Sequence, residues 1–319
     1  MTVWAARIGD PVEPLPQEAP FGRTEPARAR SPPLSPSAAS VPVSDGLHPA
    51  GERRSPSAVR RAYARRMSSE TTHRPLVAIL SGAGISTDSG IPDYRGPQGL
   101  WRRDPEAEKL VTYEYYMTDP EIRRRSWQMR RDSETLRARP NGAHEAVTRL
   151  ERSGVPVRVI TQNVDGLHQI AGMPTRKVLE LHGTARAVLC THCEARSGME
   201  EALERVAAGD PDPACRECGG ILKSATVMFG ESLDPEVLTE AVAVAQACEI
   251  FIAVGTSLQV QPAASLAGLA AEHGARLIIV NAEPTPYDEL ADEVVREPIS
   301  TALPAVLDRV AAGGGGGGG

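Results

Sequence analysis

Four cysteines have the spacing that most directly implies chemistry. Cys190 and Cys193 form one Cys-x-x-Cys pair, and after 21 intervening residues Cys215 and Cys218 form a second. Two such knuckles offer four thiolates to one tetrahedral Zn²⁺, leaving no open position for water, so the metal is expected to be structural. The separation slightly exceeds the common range, which an inserted turn through AAGDPDP explains. Redox-active cysteines are the alternative reading. Cys248, in ACEIFIAV, reads as packed core, and His192, inside the first knuckle, as a solvated bystander. His182 stands eight positions ahead of Cys190 in VLELHGTARAVLC. Four thiolates complete the tetrahedron without it, so His182 is left as a base or a core histidine.

A second constellation is glycine-rich. Gly82-Ala83-Gly84 follows the apolar run LVAIL and opens SGAGISTDSGIPDYRGPQGLW. Glycines there let a backbone approach a pyrophosphate, and N–H groups at a following helix start favour an anion. The strict G-x-G-x-x-G fingerprint fails at Thr87, which argues against a hydride-transferring oxidoreductase. Asp93, Tyr94 and Arg95 then gather an acid, an aromatic and a base where such an enzyme would continue its helix. A charged surface loop is the plainer alternative for that stretch.

These groups need a scaffold, and the apolar runs supply one. LVAILSGAG, PVRVITQNVD, CEIFIAVGTS and ARLIIVNAEP each read as a buried parallel strand ending in small or polar residues. Helical patterns such as NGAHEAVTRLERSG and PEVLTEAVAVAQA lie between them. The alternation predicts an α/β fold with a Rossmann-like doubly wound parallel sheet, whose polar strand ends form a cleft. Two segments depart from the alternation. Residues 102–140, including RRRSWQMRRDSETLRAR, are expected to be a helical insertion, and 185–223 a smaller zinc-binding module. The sheet domain is then expected over 71–101, 141–184 and 224–310.

The ordered set GAGISTDSGIPDYRG, TQNVDGLH, LELHG, the two cysteine pairs, FGE, GTS and NAE resembles the sirtuin family, from about Pro75 to about Val310. The resemblance implies an NAD-dependent protein-lysine deacetylase (deacylase) that transfers the acyl group to ADP-ribose and releases nicotinamide. On that resemblance, Gly82, Ala83 and Gly84 would face the NAD phosphates, and Asp93, Tyr94 and Arg95 would lie over the nicotinamide ribose. Gln162, Asn163 and Asp165 would orient the ribose and nicotinamide. Gly255, Thr256 and Ser257 would hold phosphate or ribose, and Asn281 and Glu283 the adenosine end. Val227, Phe229, Gly230 and Glu231 would border an acyl-lysine channel. His182 matches the catalytic histidine, whose neutral imidazole suits a base near working pH. His168, in the helix after NVDG, and His144, on NGAHEAV, are expected to support the fold. The chain departs from the family at Tyr94, usually Phe, at Ser224, often Pro, and at Met228, often aromatic.

Composition narrows the rest. The chain has 319 residues, 41% hydrophobic, with a formal charge of −6. The first 66 residues carry ten Arg against six Asp or Glu and eleven of the 27 prolines. A disordered tail is expected over 1–70, with Met67 as an alternative start, and a flexible glycine tail over 311–319. No apolar run is long enough for an export signal or a membrane span, so a cytoplasmic protein with no membrane partner is expected. The expected partners are acyl-lysine side chains of protein substrates, with no specific nucleic acid. Mono-ADP-ribosyl transfer and removal of succinyl or malonyl groups remain alternatives, as does a zinc-knuckle nucleic-acid-binding module using Arg60, Arg61, Arg65, Arg66 and RRRSWQMRR.

Overall fold

The computed structural model describes residues 74–93 and 105–313. The expected tail over 1–70, together with Tyr94 and Arg95, lies outside the described residues. Residues 314–319 do too, but 311–313 belong to the last turns of a helix.

Six parallel strands form one sheet: β1 (Val77–Ser81), β2 (Val157–Thr161), β3 (Val178–Glu180), β7 (Ile250–Val254), β8 (Arg276–Val280) and β9 (Glu293–Val295), in the order β3-β2-β1-β7-β8-β9. The chain winds outward from β1 to β3, returns to the centre at β7, and winds outward again to β9. The crevice between the carboxyl ends of β1 and β7 is therefore the topological switch point.

Each central strand is buried on both sides, and its two-residue period sorts side chains into two cores. Val77, Ile79, Val157, Val159, Ile252, Val254, Ile278 and Val280 face helices α3 (Gly142–Arg152) and α8 (Ile299–Gly313). The alternate residues Ala78, Leu80, Ile160, Phe251, Ala253, Leu277 and Ile279 face α6 (Pro235–Ala247) and α7 (Ser265–Glu272). The contacting positions of α6 and α7 are mostly alanines, which lets these helices lie close to the sheet. Local chemistry starts the helices. Asp234 accepts from the Glu236 and Val237 amides ahead of α6, with Pro235 in the first turn. Asn141 and His144 form a capping box on α3.

The cysteines lie on a second, antiparallel sheet of β4 (Gly183–Cys190), β5 (Arg196–Gly198) and β6 (Leu222–Thr226), in the order β5-β4-β6. Strands β4 and β6 run through both boundaries expected for the module, 184/185 and 223/224, so β-structure is continuous there. Its small core takes residues from α5 (Met199–Ala207) and from α2 (Pro120–Asp132). The charged segment expected to be helical through Arg139 is helical only to Asp132, because Ser133 leaves the helix in an extended conformation. Trp127, on this arginine-rich helix, is wholly buried in the core of the cysteine module. Helix α1 (Tyr113–Thr118) precedes it, and the Tyr116 hydroxyl donates to the Leu222 carbonyl at 2.7 Å.

Candidate active site

The strand ends close on one another through one further backbone hydrogen bond each. Gly82 N–H donates to the Val254 carbonyl, Gln162 to Ser81, Leu181 to Thr161, and Gly255 to Val280, all at 2.9–3.0 Å. This carries Gly82, Gln162, His182 and Gly255 to the same edge of the sheet. Close backbone approach at the switch point explains the glycines. A Cβ added at Gly82 would stand 2.6 Å from the Gly255 carbonyl oxygen, and one at Gly84 would stand 2.8 Å from the Gly255 Cα. Gly255 itself has φ near +60°, and its own Cβ would meet the Ile85 amide. The segment after Gly82 is a 3-10 helix, Ala83–Ser89, not the α-helix the glycine pattern suggests, and Gly90 in the left-handed region ends it.

Polar side chains knit the loop to the end of β2. Asn163 donates to the Gly82 carbonyl at 3.0 Å and to the Ser86 hydroxyl at 3.3 Å. Ser86 in turn donates to Asp165 at 2.8 Å, and the other Asp165 oxygen accepts from the Leu167 amide at 2.9 Å. Gln162 donates to the Thr256 hydroxyl at 2.9 Å, which bridges β2 and β7. Asn163, Asp165 and Thr256 are buried; Gln162 and Ser257 are half-buried. On the far side, Asn281 donates to the Glu283 carbonyl, and Arg296 reaches the carbonyls of both. Asp93 is half-buried at the end of the described loop.

His182 follows β3 and sits half-buried beside this group. Its Nδ1 lies 2.7 Å from the Gln162 carbonyl oxygen. A carbonyl only accepts, so Nδ1 carries the proton and Nε2 presents a lone pair. Burial holds the imidazole below its ordinary pKa, partly offset by the Gln162 carbonyl. The neutral, basic form is therefore favoured at neutral pH. The His182 carbonyl accepts from the Val227 amide at 2.8 Å, which brings the segment after β6 alongside. Gly183, at φ near +71°, leaves no room for a Cβ against the Ala225 carbonyl. In that segment Val227 is half-buried, Met228 buried, and Phe229 and Gly230 exposed. Thr112 and Phe229 form an isolated bridge, with Phe229 N–H donating to Val111 and Tyr113 N–H to Phe229, both at 2.9 Å.

Two histidines lie beneath the site. His168 Nε2 and the Ser81 hydroxyl are 2.9 Å apart, Ser81 donates to Thr161, and the rings of His144 and His168 meet edge to face with centroids 5.0 Å apart. Burial pushes His168 down to about 3, with His144 adding to the shift. Burial likewise lowers His144 to about 4, against the pull of Asp165.

The four cysteine Sγ atoms lie within 4.8 Å of one another, with Cys190–Cys218 at 3.5 Å and Cys193–Cys215 at 3.7 Å. Zn–S bonds of about 2.3 Å in a tetrahedron require S–S edges of about 3.8 Å, so the donor set fits one such ion. His182 is not part of this cluster. The sequence reading missed Ser86, Arg186, which donates to the Asp165 carbonyl at 2.8 Å, and Lys223, buried on β6 and ion-paired with Glu231. Only Lys223 left a local trace, as a lone charge in the apolar run ILKSATV.

Among known proteins, the family model described as the Sir2 family matches residues 82–262. NAD-dependent protein deacetylase 2 of Streptomyces coelicolor is 74% identical over 236 residues, covering 74% of this chain and 98% of that protein. The NAD-dependent protein deacetylase of Thermodesulfovibrio yellowstonii is 42% identical over 231 residues, covering 72% and 88%. A solved complex of Sir2 with p53 peptide and NAD⁺ superposes with a TM-score of 0.66 at 32% identity, covering 77% of this chain and 97% of that one. A Sir2 histidine-to-alanine variant with deacetylated p53 peptide and 3′-O-acetyl ADP-ribose gives 0.68 at 32% identity, covering 77% and 98%. Among the described residues, no helix is long and apolar enough to cross a membrane.

Proposed function

The chain belongs to the Sir2, or sirtuin, family, and from that premise we propose how its residues divide the work of catalysis. It is an NAD-dependent protein deacetylase acting on acyl-lysine side chains of protein substrates. The observation that carries the residue assignment is the His182–Gln162 hydrogen bond at the edge where the strand ends converge.

Bound NAD⁺ supplies an electrophilic ribose carbon and a nicotinamide leaving group. Gly82, Ala83, Gly84, Gly255, Thr256 and Ser257 would receive its phosphates on backbone that no side chain crowds. Asn281 and Glu283, their turn fixed by Arg296, would meet the adenosine end. Gln162, Asn163 and Asp165 would set the nicotinamide ribose, with Asn163 and Asp165 also holding the glycine loop through Ser86. Asp93 would complete this side with Tyr94 and Arg95. Val227, Phe229, Gly230 and Glu231 would border the acyl-lysine. His182 Nε2, the free lone pair of a neutral ring, would take a proton from a ribose hydroxyl, while Gln162 keeps the ring in the required tautomer. Cys190, Cys193, Cys215 and Cys218 would hold one structural Zn²⁺, closed to water and outside the chemistry.

Incubating the protein with NAD⁺ and an acetyl-lysine peptide, and following acetyl-ADP-ribose by mass, tests the reading. His182→Ala should stay folded and zinc-loaded while turnover falls by roughly 10²–10⁴, the usual worth of general acid–base catalysis. Zinc loss in that variant, or turnover near wild type, would remove His182 from the role.

A further inference from the structure

Lys223 is an ammonium almost wholly removed from water, with 6% of its side chain exposed. Its three donors are all used: Glu231 at 2.8 Å, the Thr226 carbonyl at 2.8 Å, and the Ser224 carbonyl at 3.4 Å. The Glu231 oxygen that receives Lys223 also accepts from the Met228 amide at 2.8 Å, and the Glu231 amide donates to the Met228 carbonyl at 3.0 Å. One ion pair therefore closes the turn from Thr226 to Glu231 upon itself. Outside that turn, Val227 is tied to His182 and Phe229 to Val111 and Tyr113. Those bonds tether Val227 and Phe229 to neighbouring elements. Within the turn, its curvature is held by Lys223 and Glu231, through the Thr226 carbonyl and the Met228 amide.

Stability is a poor reason to keep this pair. Burying two charges carries a large desolvation cost, and replacing both with neutral groups is often harmless or stabilising. Geometry is the better reason, because an ammonium locks carbonyls and a carboxylate at once, which no apolar side chain does. We propose that Lys223, with Glu231 as its counter-ion, is a positioning residue for the acyl-lysine substrate, shaping the Thr226–Glu231 turn without touching substrate itself. This rests on the reading of Val227, Phe229, Gly230 and Glu231 as the border of the acyl-lysine channel. Glu231 stays on that border while its Oε2 is engaged by Lys223 and the Met228 amide.

The test varies acetyl-lysine peptide and NAD⁺ separately in wild type, Lys223→Arg, Lys223→Met, and the double variant Lys223→Met with Glu231→Gln. Lys223→Met alone leaves a carboxylate without its counter-ion and should loosen the turn; the double variant removes both charges and should recover the wild-type melting temperature and zinc content. Its KM for peptide should nevertheless rise about tenfold or more, with KM for NAD⁺ within about twofold. Lys223→Arg keeps the positive charge opposite Glu231 but with a larger planar head, so its peptide KM should shift less than that of the double variant. A double variant with wild-type peptide KM, or one that loses NAD⁺ affinity as much as peptide affinity, would overturn the proposal. Failure of wild type to turn over any acetyl-peptide would instead sink the reading of the segment on which it rests.

Discussion

Among the described residues, buried apolar side chains number 21 on one face of the six-stranded sheet and 20 on the other, whereas the cluster around the cysteines holds eight. Of those eight, two are the cysteines Cys190 and Cys215, and Trp127 comes from α2. The large sheet can therefore stand on burial alone, at about 25 cal/mol for each Å² removed from water. The cysteine module cannot. On the proposed zinc site, it would depend on a cross-link between its knuckles and on one aromatic lent by the helical segment. The candidate active-site edge lies where the two meet, since His182 precedes β4 and its carbonyl accepts from Val227, just past the end of β6. A loosened module should thus be felt at the site while the sheet persists.

The hardest blow to this contrast is removal of a cysteine. Cys190→Ala or Cys218→Ala should release the metal, forfeiting much of an apparent binding free energy of about 10–16 kcal/mol, and should lower solubility. Far-UV circular dichroism should still report a folded sheet while metal analysis falls to zero. One zinc per chain with an unchanged thermal transition would end the claim that metal holds the module.

Truncating the lent aromatic comes next. Trp127→Ala should cost about 3–5 kcal/mol and make the metal easier to strip with a chelator. Ile252→Ala, on the sheet, should cost about 2–5 kcal/mol without changing chelator sensitivity. Equal metal loss from both variants would mean that the two cores are not separable.

Acid should act on the sheet side through His144 and His168. Folding holds both below the ordinary 6.5, at about 4 and about 3, so the unfolded chain takes up protons first. The stability they contribute is whole above about pH 6.5 and is lost progressively as pH falls toward 3. The melting temperature should drop across that window, and His168→Gln should flatten the profile. A flat wild-type profile between pH 7 and 4, with metal content followed in parallel, would show that the pair does not govern acid stability.

The smallest effect is expected at the ion pair between α2 and the cysteine module. Arg123 pairs with Asp212 at 2.9 Å and also donates to the carbonyls of Tyr116 and Met117. The pair is only partly buried, so Asp212→Asn should cost about 0.5–1 kcal/mol, measured by denaturant melting. A loss several times larger would make the inserted AAGDPDP turn a principal brace rather than an accessory.

Much of this was legible in the chain itself. The strands β1, β2, β7 and β8 fall within the four apolar runs, because strands buried on both faces leave an unbroken apolar signature. The metal-ligand pattern was equally plain, since two Cys-x-x-Cys knuckles are local geometry. Short-range rules failed where the context was tertiary. The segment SETLRAR carries helix formers but leaves the helix at Ser133, and the loop after Gly82 tightens into a 3-10 turn. The three-residue strands β3, β5 and β9 are too short to show a period.

Sequence by itself determined the alternation of strands and helices, the polar strand ends and the cysteine quartet, because each depends on residues a few positions apart. Only the tertiary structure decided that Trp127 enters the cysteine module, that Gln162 fixes the tautomer of His182, and that Lys223 closes the turn bearing Val227 and Phe229. Trp127 and His182 meet partners brought from distant parts of the chain. Lys223 and Glu231 lie only eight positions apart, but they pair because β6 is buried against β4 and leaves that ammonium no water to face. Local spacing carries no record of such encounters; the burial of the sheets around them does.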